Sequence, residues 1–440
     1  MEDAYLIHGG RPLTGEVTLS GAKNVSLKAI IAALLFESEV VLTNVPRIND
    51  VFELLHLIRV LGGKADFTDK NTVTIDGREI TSHTLDLLHS SKIRVSFMLF
   101  APLLHKLGKA QIPNPGGCRL GARSIDRIVD GLKAYGASIT YDSTSGYYNA
   151  VKSNAPKGMY TFPKPSHTGT ELLIMYGALG TETVQIKGAA LEPEVDELIS
   201  FLNQAGAKIV RNGDTITIAG VQKLVQTVPF RVVSDRNEAV TFATLAVATH
   251  GDVTIHNLTS TMIEDFEREL TAVGAGVTVM DSSMRFYYSG PLRPSAIVTG
   301  PHPGFMTDWQ PNWAVLMTQA DGVSTIHERV FENRFAYVSE LNKLGAGIEY
   351  IEPKTSDPES FYLFNYDSSK SYKQMIQITG PKKLHNGVMT VADLRAGASL
   401  LIAGLMAEGE SVIQGASVID RGYEDLVLKI TALGGTIKKL

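Results

Sequence analysis

The sequence predicts an α/β protein of two domains, each holding three copies of one unit, and three observations carry that reading. An apolar residue followed by Gly-Gly or Gly-Ala and then a strand-like stretch occurs six times. An amphipathic helix, itself preceded by a short β-rich strand, ends at each of these glycines. A second helix, apolar on nearly every face, comes before every such strand. The glycines stand at 62, 136, 206, 274, 345 and 434, with spacings of 74, 70, 68, 71 and 89. A repeat of this size is too long for a solenoid unit and too short for an ordinary domain, so three plus three copies is the natural division. Two such domains would enclose a cleft suited to a small-molecule site.

In chain order the repeated endings are Leu61-Gly-Gly-Lys-Ala, Tyr135-Gly-Ala-Ser-Ile, Ala205-Gly-Ala-Lys-Ile, Val273-Gly-Ala-Gly-Val, Leu344-Gly-Ala-Gly-Ile and Leu433-Gly-Gly-Thr-Ile. A glycine there is the stop that a helix C-terminus favours. The strands read as Glu39-Val-Val-Leu-Thr, Lys109-Ala-Gln-Ile, Glu182-Thr-Val-Gln-Ile, Asp252-Val-Thr-Ile, Val323-Ser-Thr-Ile and Glu410-Ser-Val-Ile. The apolar helices are expected over Val25–Phe36, Val95–Leu107, Glu171–Leu179, Ala239–Ala248, Trp313–Ala320 and Ala396–Ala407. Helices apolar all round belong in the interior. The longest final spacing reflects a polar insertion around Lys354 to Lys373.

Composition narrows the function classes. With 44% hydrophobic and 20% charged residues, the 440-residue chain reads as an ordinary globular protein. The acidic start, MEDAYLIHGG, lacks the basic residues and apolar core of a signal peptide, and no apolar run approaches a membrane span. A cytoplasmic protein without membrane insertion is expected. A formal charge of -5 argues against a nucleic-acid binder. One cysteine excludes an intrachain disulfide framework and a multi-cysteine zinc site, and the eleven histidines show no HExxH spacing.

That cysteine, Cys118, lies in Ile112-Pro-Asn-Pro-Gly-Gly-Cys-Arg-Leu-Gly-Ala-Arg123, where prolines and glycines predict an irregular exposed loop. Arg119 and Arg123 favour thiolate and attract anions, which reads as a reactive rather than a structural thiol. The Gly116 to Gly121 spacing resembles a phosphate loop, but Ala122 stands where the lysine would be. The starts of the apolar helices carry Lys23-Asn24, Lys92 with Arg94, Ser166 to Thr170, Asp235-Arg236, Asp308, and Asp393 with Arg395. Free N–H groups at helix starts, joined by arginines, suit an anion. Each of these residues also fits an N-cap or a structural ion pair. Asp308 is open to both readings, as a general base or as a cap.

Six motifs in order extend these local readings. Ser20-Gly-Ala-Lys-Asn24, Pro115-Gly-Gly-Cys-Arg-Leu-Gly-Ala-Arg123, Thr307-Asp308, Phe331-Glu-Asn-Arg334-Phe, Asp393-Leu-Arg395-Ala and Ile419-Asp-Arg421-Gly-Tyr-Glu span nearly the whole chain. With them the sequence resembles the UDP-N-acetylglucosamine enolpyruvyl transferases (1-carboxyvinyltransferases). The resemblance implies two inside-out α/β barrel domains, each of three βαβαββ units around buried parallel helices, with the active site in the interdomain cleft. One domain would run over 22–233 and the other would combine 1–21 with 234–440. The implied reaction moves the enolpyruvyl group of phosphoenolpyruvate to the 3-hydroxyl of the GlcNAc moiety, releasing phosphate through a tetrahedral ketal. It is the transfer that begins peptidoglycan synthesis, and hence serves cell-wall biogenesis, cell shape and division.

The resemblance also assigns residues. Cys118 matches the proton donor on the lid loop and Asp308 the base toward the sugar hydroxyl. Lys23, Arg123, Arg395 and Arg421, with Arg334 nearby, match the cations that take phosphoenolpyruvate. The sugar nucleotide falls to Asn24, Arg94, Arg123, Ser124, Asp126, Arg127, Lys164, Ser166, His167, Thr168, Asp308 and Val330. No metal or organic cofactor is implied. Leu191, Lys28, Thr168 and the segment Ser234-Asp-Arg-Asn-Glu-Ala-Val240 depart from the usual pattern. They bear on nucleotide affinity and the domain crossing rather than on the chemistry. Two other functions compete: transfer to shikimate 3-phosphate, against which the Pro-Gly-Gly-Cys loop argues, and a non-catalytic regulatory paralogue that binds the sugar nucleotide.

Overall fold

The structure is a computed structural model of the chain and describes residues 3–116 and 125–440. Cys118, Arg123 and Ser124 therefore lie outside the described residues. The described chain divides into two compact units, one of residues 21–116 and 125–233, the other of residues 3–20 and 234–440.

All six repeat glycines adopt left-handed backbone, with φ between 87° and 101°. Only glycine takes that conformation without a steric penalty from Cβ, which is why the repeat is punctuated by this residue. The strand entering each copy sits inside a small sheet of constant plan. It pairs antiparallel with the strand that follows the glycine hairpin and parallel with a strand from elsewhere in its unit. Thus Asp252–His256 pairs antiparallel with Ser283–Tyr287 and parallel with Thr14–Thr18. Thr183–Lys187 does so with Thr215–Ala219 and Gly158–Thr161, and Gly322–His327 with Met375–Gly380 and Ala296–Val298. In the second copy the parallel partner shrinks to the single bridge Thr84–Gln111. In the last copy the N-terminal strand Ala4–Gly9 takes the hairpin position, pairing antiparallel with both Gly409–Gln414 and Thr436–Lys439.

Strand alternation sets which face is buried. Val253 and Ile255 are fully buried and stand opposite Phe286 and Met284, which are buried too, whereas Thr254 and His256 point away. The apolar helices lie against these inner faces. Every residue of Arg236–Ala248 is buried, as is Leu394–Leu405 within Leu394–Met406. Each unit has its own continuous apolar core.

These helices begin two to four residues before the apolar runs that announce them, at Lys23, His167, Arg236, Gln310 and Leu394. The polar residues thus fill the first turn itself. Side-chain caps make this possible: Asp235 Oδ1 accepts from the N–H of Asn237 and Glu238, Asp393 Oδ1 from Arg395 and Ala396, and Ser166 Oγ from Gly169. The second copy differs, opening as a 3-10 turn over Arg94–Leu99 before Phe100–Leu107.

Candidate active site

Asp308 lies just before the helix Gln310–Met317, whose boundary residue is Trp309 with no side-chain cap. Arg334 Nη2 donates to Asp308 Oδ1 at 2.6 Å, and Arg334 Nη1 donates to Thr307 Oγ1 at 2.7 Å. On the other side Arg395 Nε stands 3.7 Å from Asp308 Oδ2. The carboxylate is therefore held between two guanidinium groups. Thr307 Oγ1 in turn donates to Glu328 Oε2 at 2.7 Å, while Glu328 Oε1 accepts from the N–H of Val330 and Phe331. The Arg334 side chain is only 1% exposed, so this is a desolvated network.

Its electrostatics are mutually compensating. Burial works against the charge of Arg334, yet Asp308, Asp393 and Glu328 outweigh it and hold the guanidinium above its ordinary range. Burial pushes the Glu328 carboxyl up, against the pull of Arg334, Thr307 and the two amides. Arg395 is also raised: burial opposes its charge, but Tyr423, Asp235 and Asp308 prevail. Among the described residues, Arg334 Nε and Arg395 Nη1 are buried and hydrogen-bond to nothing. Buried donors of that kind favour an anionic acceptor. Arg421 is half-buried, two residues before Tyr423, whose ring lies 5.5 Å from the Arg395 guanidinium and whose hydroxyl bonds Thr241 Oγ1 at 2.8 Å.

The other unit carries the remaining residues. Lys23 opens the helix Lys23–Ala33 and its Nζ pairs with Asp50 Oδ2 at 2.7 Å; Asn24 follows, half-buried. The Arg94 guanidinium is 5.9 Å from the Phe97 ring. Asp126 and Arg127 begin the helix Asp126–Ala134, and burial lowers the Arg127 pKa against the effect of Tyr160 and Asp126. Lys164 precedes the Ser166 cap, with His167 and Thr168 in the first turn of His167–Ala178.

Behind that turn lies a buried triad. His167 Nε2 is 3.3 Å from Glu171 Oε1, and Lys28 Nζ is 3.1 Å from Glu171 Oε2. Burial alone would push the Glu171 carboxyl up, but His167 and Lys28 hold it below its ordinary range. Lys28 thus ties the Lys23–Ala33 helix to the turn bearing Ser166, His167 and Thr168.

Sequence reasoning did not single out Glu328, Asp50 or the pairing of Glu171 with Lys28. For Glu328 the signal was slight: it is a carboxylate that directly follows the strand Gly322–His327, and a buried carboxylate must find partners. Asp50 and Glu171 gave no such signal, because their partners lie 27 and 143 positions away.

The profile of the family described as EPSP synthase (3-phosphoshikimate 1-carboxyvinyltransferase) matches residues 7–430. Proteins named UDP-N-acetylglucosamine 1-carboxyvinyltransferase from Desulfosudis oleivorans and Trichlorobacter lovleyi are 37% and 38% identical, each match covering 100% of this chain and 99% of the relative. The chain belongs to the enolpyruvyl transferase family. Its fold is also that of the enolpyruvyl transferase NikO from Streptomyces tendae, with a TM-score of 0.85 at 23% identity over 100% of this chain and 99% of that one. An EPSP synthase from Acinetobacter baumannii follows at a TM-score of 0.72 and 19% identity, covering 99% of both. No helix among the described residues is long and apolar enough to cross a membrane.

Proposed function

We propose that this enolpyruvyl transferase moves the enolpyruvyl group of phosphoenolpyruvate to the 3-hydroxyl of UDP-N-acetylglucosamine and releases phosphate. The observation that carries the choice of acceptor is the full-length identity of 36–38% to relatives that bear that acceptor in their name. The Pro-Gly-Gly-Cys loop, quoted above from the sequence, supports the same choice over shikimate 3-phosphate. We place the reaction in the cytoplasm and draw its residues from both units, each read as an inside-out barrel, over 22–233 and over 1–21 with 234–440.

In the addition step Cys118 gives a proton to the methylene carbon of phosphoenolpyruvate. The sugar oxygen bonds to carbon 2 while Asp308 takes the hydroxyl proton. In the elimination step the methyl carbon returns a proton to the Cys118 thiolate, the double bond reforms, and the carbon–oxygen bond to phosphate breaks, the departing phosphate taking the proton that Asp308 had accepted. The position of Asp308 between Arg334 and Arg395 supports its role, since the two guanidinium groups fix the direction of its carboxylate. The orphan donors on Arg395 and Arg334 support binding of the phosphate or carboxylate of phosphoenolpyruvate, together with Lys23, Arg123 and Arg421. Asn24, Arg94, Ser124, Asp126, Arg127, Lys164, Ser166, His167, Thr168 and Val330 take the sugar nucleotide. The triad behind His167 supports a fixed geometry for that turn.

Phosphate release from phosphoenolpyruvate, measured with each acceptor in turn, tests the proposal. Release with the sugar nucleotide and none with shikimate 3-phosphate is expected. The reverse would overturn the acceptor, and binding of the sugar nucleotide without release would favour a regulatory paralogue.

A further inference from the structure

Five glycine hairpins of the repeat have the same construction, and one of them departs sharply in length. The strand pairs Lys64–Asp69 with Thr72–Asp76, Lys208–Asn212 with Thr215–Ala219, Gly276–Val279 with Ser283–Tyr287, and Ala137–Asp142 with Tyr147–Lys152 are joined by two to four residues. Ile348–Tyr350 and Met375–Gly380 form the same antiparallel pair, yet residues 351–374 lie between them. Pairing of the strands does not need this strap, since the other copies manage without it.

The strap is bound instead to the loop that carries Glu328, Val330 and Arg334. Leu363 N–H donates to the Arg329 carbonyl at 2.8 Å, and Arg329 Nε donates back to the Phe361 carbonyl at 3.1 Å, with its guanidinium 4.8 Å from the Phe361 ring. Lys373 N–H donates to Asn333 Oδ1 at 2.7 Å. Gln374, fully buried, donates through Nε2 to the carbonyls of Glu328 and Phe331 and accepts the Asn333 N–H at Oε1. A string of ring contacts through Phe361, Tyr362, Phe364, Tyr366 and Tyr372 stiffens the strap, and Tyr362 Oη bonds His327 Nε2 at the foot of the loop at 3.1 Å. Asn333 itself has a positive φ of 50°, so the loop is held in a turn that must be fixed from outside.

We propose that this strap is a positioning element for the reaction: it fixes residues 328–334 so that Arg334 stays on Asp308 and Val330 stays in place for the sugar. The inference rests on the reading of Asp308 as the base. A loop displaced by about 1 Å loses on the order of a hundredfold in rate when it orients reacting groups. The strap does this through backbone carbonyls, Asn333 and Gln374.

The test replaces residues 352–373 by Asn-Gly, and separately removes the strap contacts with Arg329→Leu and Asn333→Gly, the glycine preserving the left-handed turn. Steady-state kinetics are taken well below the thermal midpoint of each variant. The expected result is a fall of about tenfold or more in kcat/KM for UDP-N-acetylglucosamine, and recovery by Asn333→Asp, which restores the acceptor for Lys373 N–H. If the shortened chain does not fold, the two point variants decide. Native kinetics with only a lowered midpoint, or no recovery with Asn333→Asp, would overturn the strap's role. Asp308→Asn run in parallel separates the two failures: loss of turnover there, with native strap variants, sinks the strap alone, whereas retained turnover sinks the reading of Asp308.

Discussion

Arg334 and Asp308, 26 residues apart in the chain, form a 2.6 Å hydrogen-bonded ion pair in which the arginine side chain is almost wholly withdrawn from water. The same guanidinium binds Thr307 and lies in the field of Glu328, so a single cation compensates several acidic groups. Removing it as Arg334→Met leaves Glu328 and Asp308 short of their compensating cation. Unfolding free energy should fall by about 3–5 kcal/mol, read from denaturant midpoints. A change below about 1 kcal/mol would contradict the network.

A second prediction concerns pH. His105 Nε2 donates to the Tyr176 carbonyl at 2.7 Å while Lys152 Nζ donates to His105 Nδ1 at 3.2 Å, an arrangement that only the neutral ring satisfies. Burial, and then Lys152, push the imidazole from 6.5 to about 4. Between those values the unfolded chain holds more protons than the folded one, so stability rises with pH and is lost as pH falls from 6.5 toward 4. The loss at the acid end is about 3 kcal/mol or less. His105→Gln should flatten the fall of the thermal midpoint across that window, and an unchanged slope would refute the assignment.

The buried triad gives a third. Lys28→Met strands Glu171 with only His167 nearby and should cost about 3–5 kcal/mol. Adding Glu171→Leu should restore most of that loss, because an apolar pair of similar volume needs no compensation. A double variant worse than the single one would show that the triad is not the source of the cost.

Much of this was legible in sequence because it is local. The repeat glycines are read directly, since a left-handed residue after a helix excludes most side chains. The apolar helices and the strands between them follow from residue type alone. Their polar starts were legible as well, and Asp235, Asp393 and Ser166 are the caps that residue type allowed; what residue type did not fix is that Lys23, His167, Arg236 and Arg395 already lie in the first helical turn. Arg334, Arg395 and Asp308 were named, but their meeting is tertiary, and Glu328 and Asp50 were missed for that reason. The long spacing before Gly434 exposed the strap, while its attachment depends on where Gln374 and Asn333 point.

Close backbone packing makes a fourth prediction. A Cβ on Gly21 would stand 1.7 Å from the Asn44 carbonyl oxygen, just before the helix that carries Lys23 and Asn24. Gly21→Ala must shift backbone, with a cost of about 3 kcal/mol. The thermal midpoint should drop by several degrees, and an unaltered midpoint would contradict the packing.

The most direct measurement is single-turnover phosphate release by Asp308→Asn, alongside its equilibrium binding of UDP-N-acetylglucosamine. A general base held between Arg334 and Arg395 predicts release slowed by about 10²- to 10⁴-fold, with binding within a few fold of native. Release within about threefold of the native rate would contradict the account.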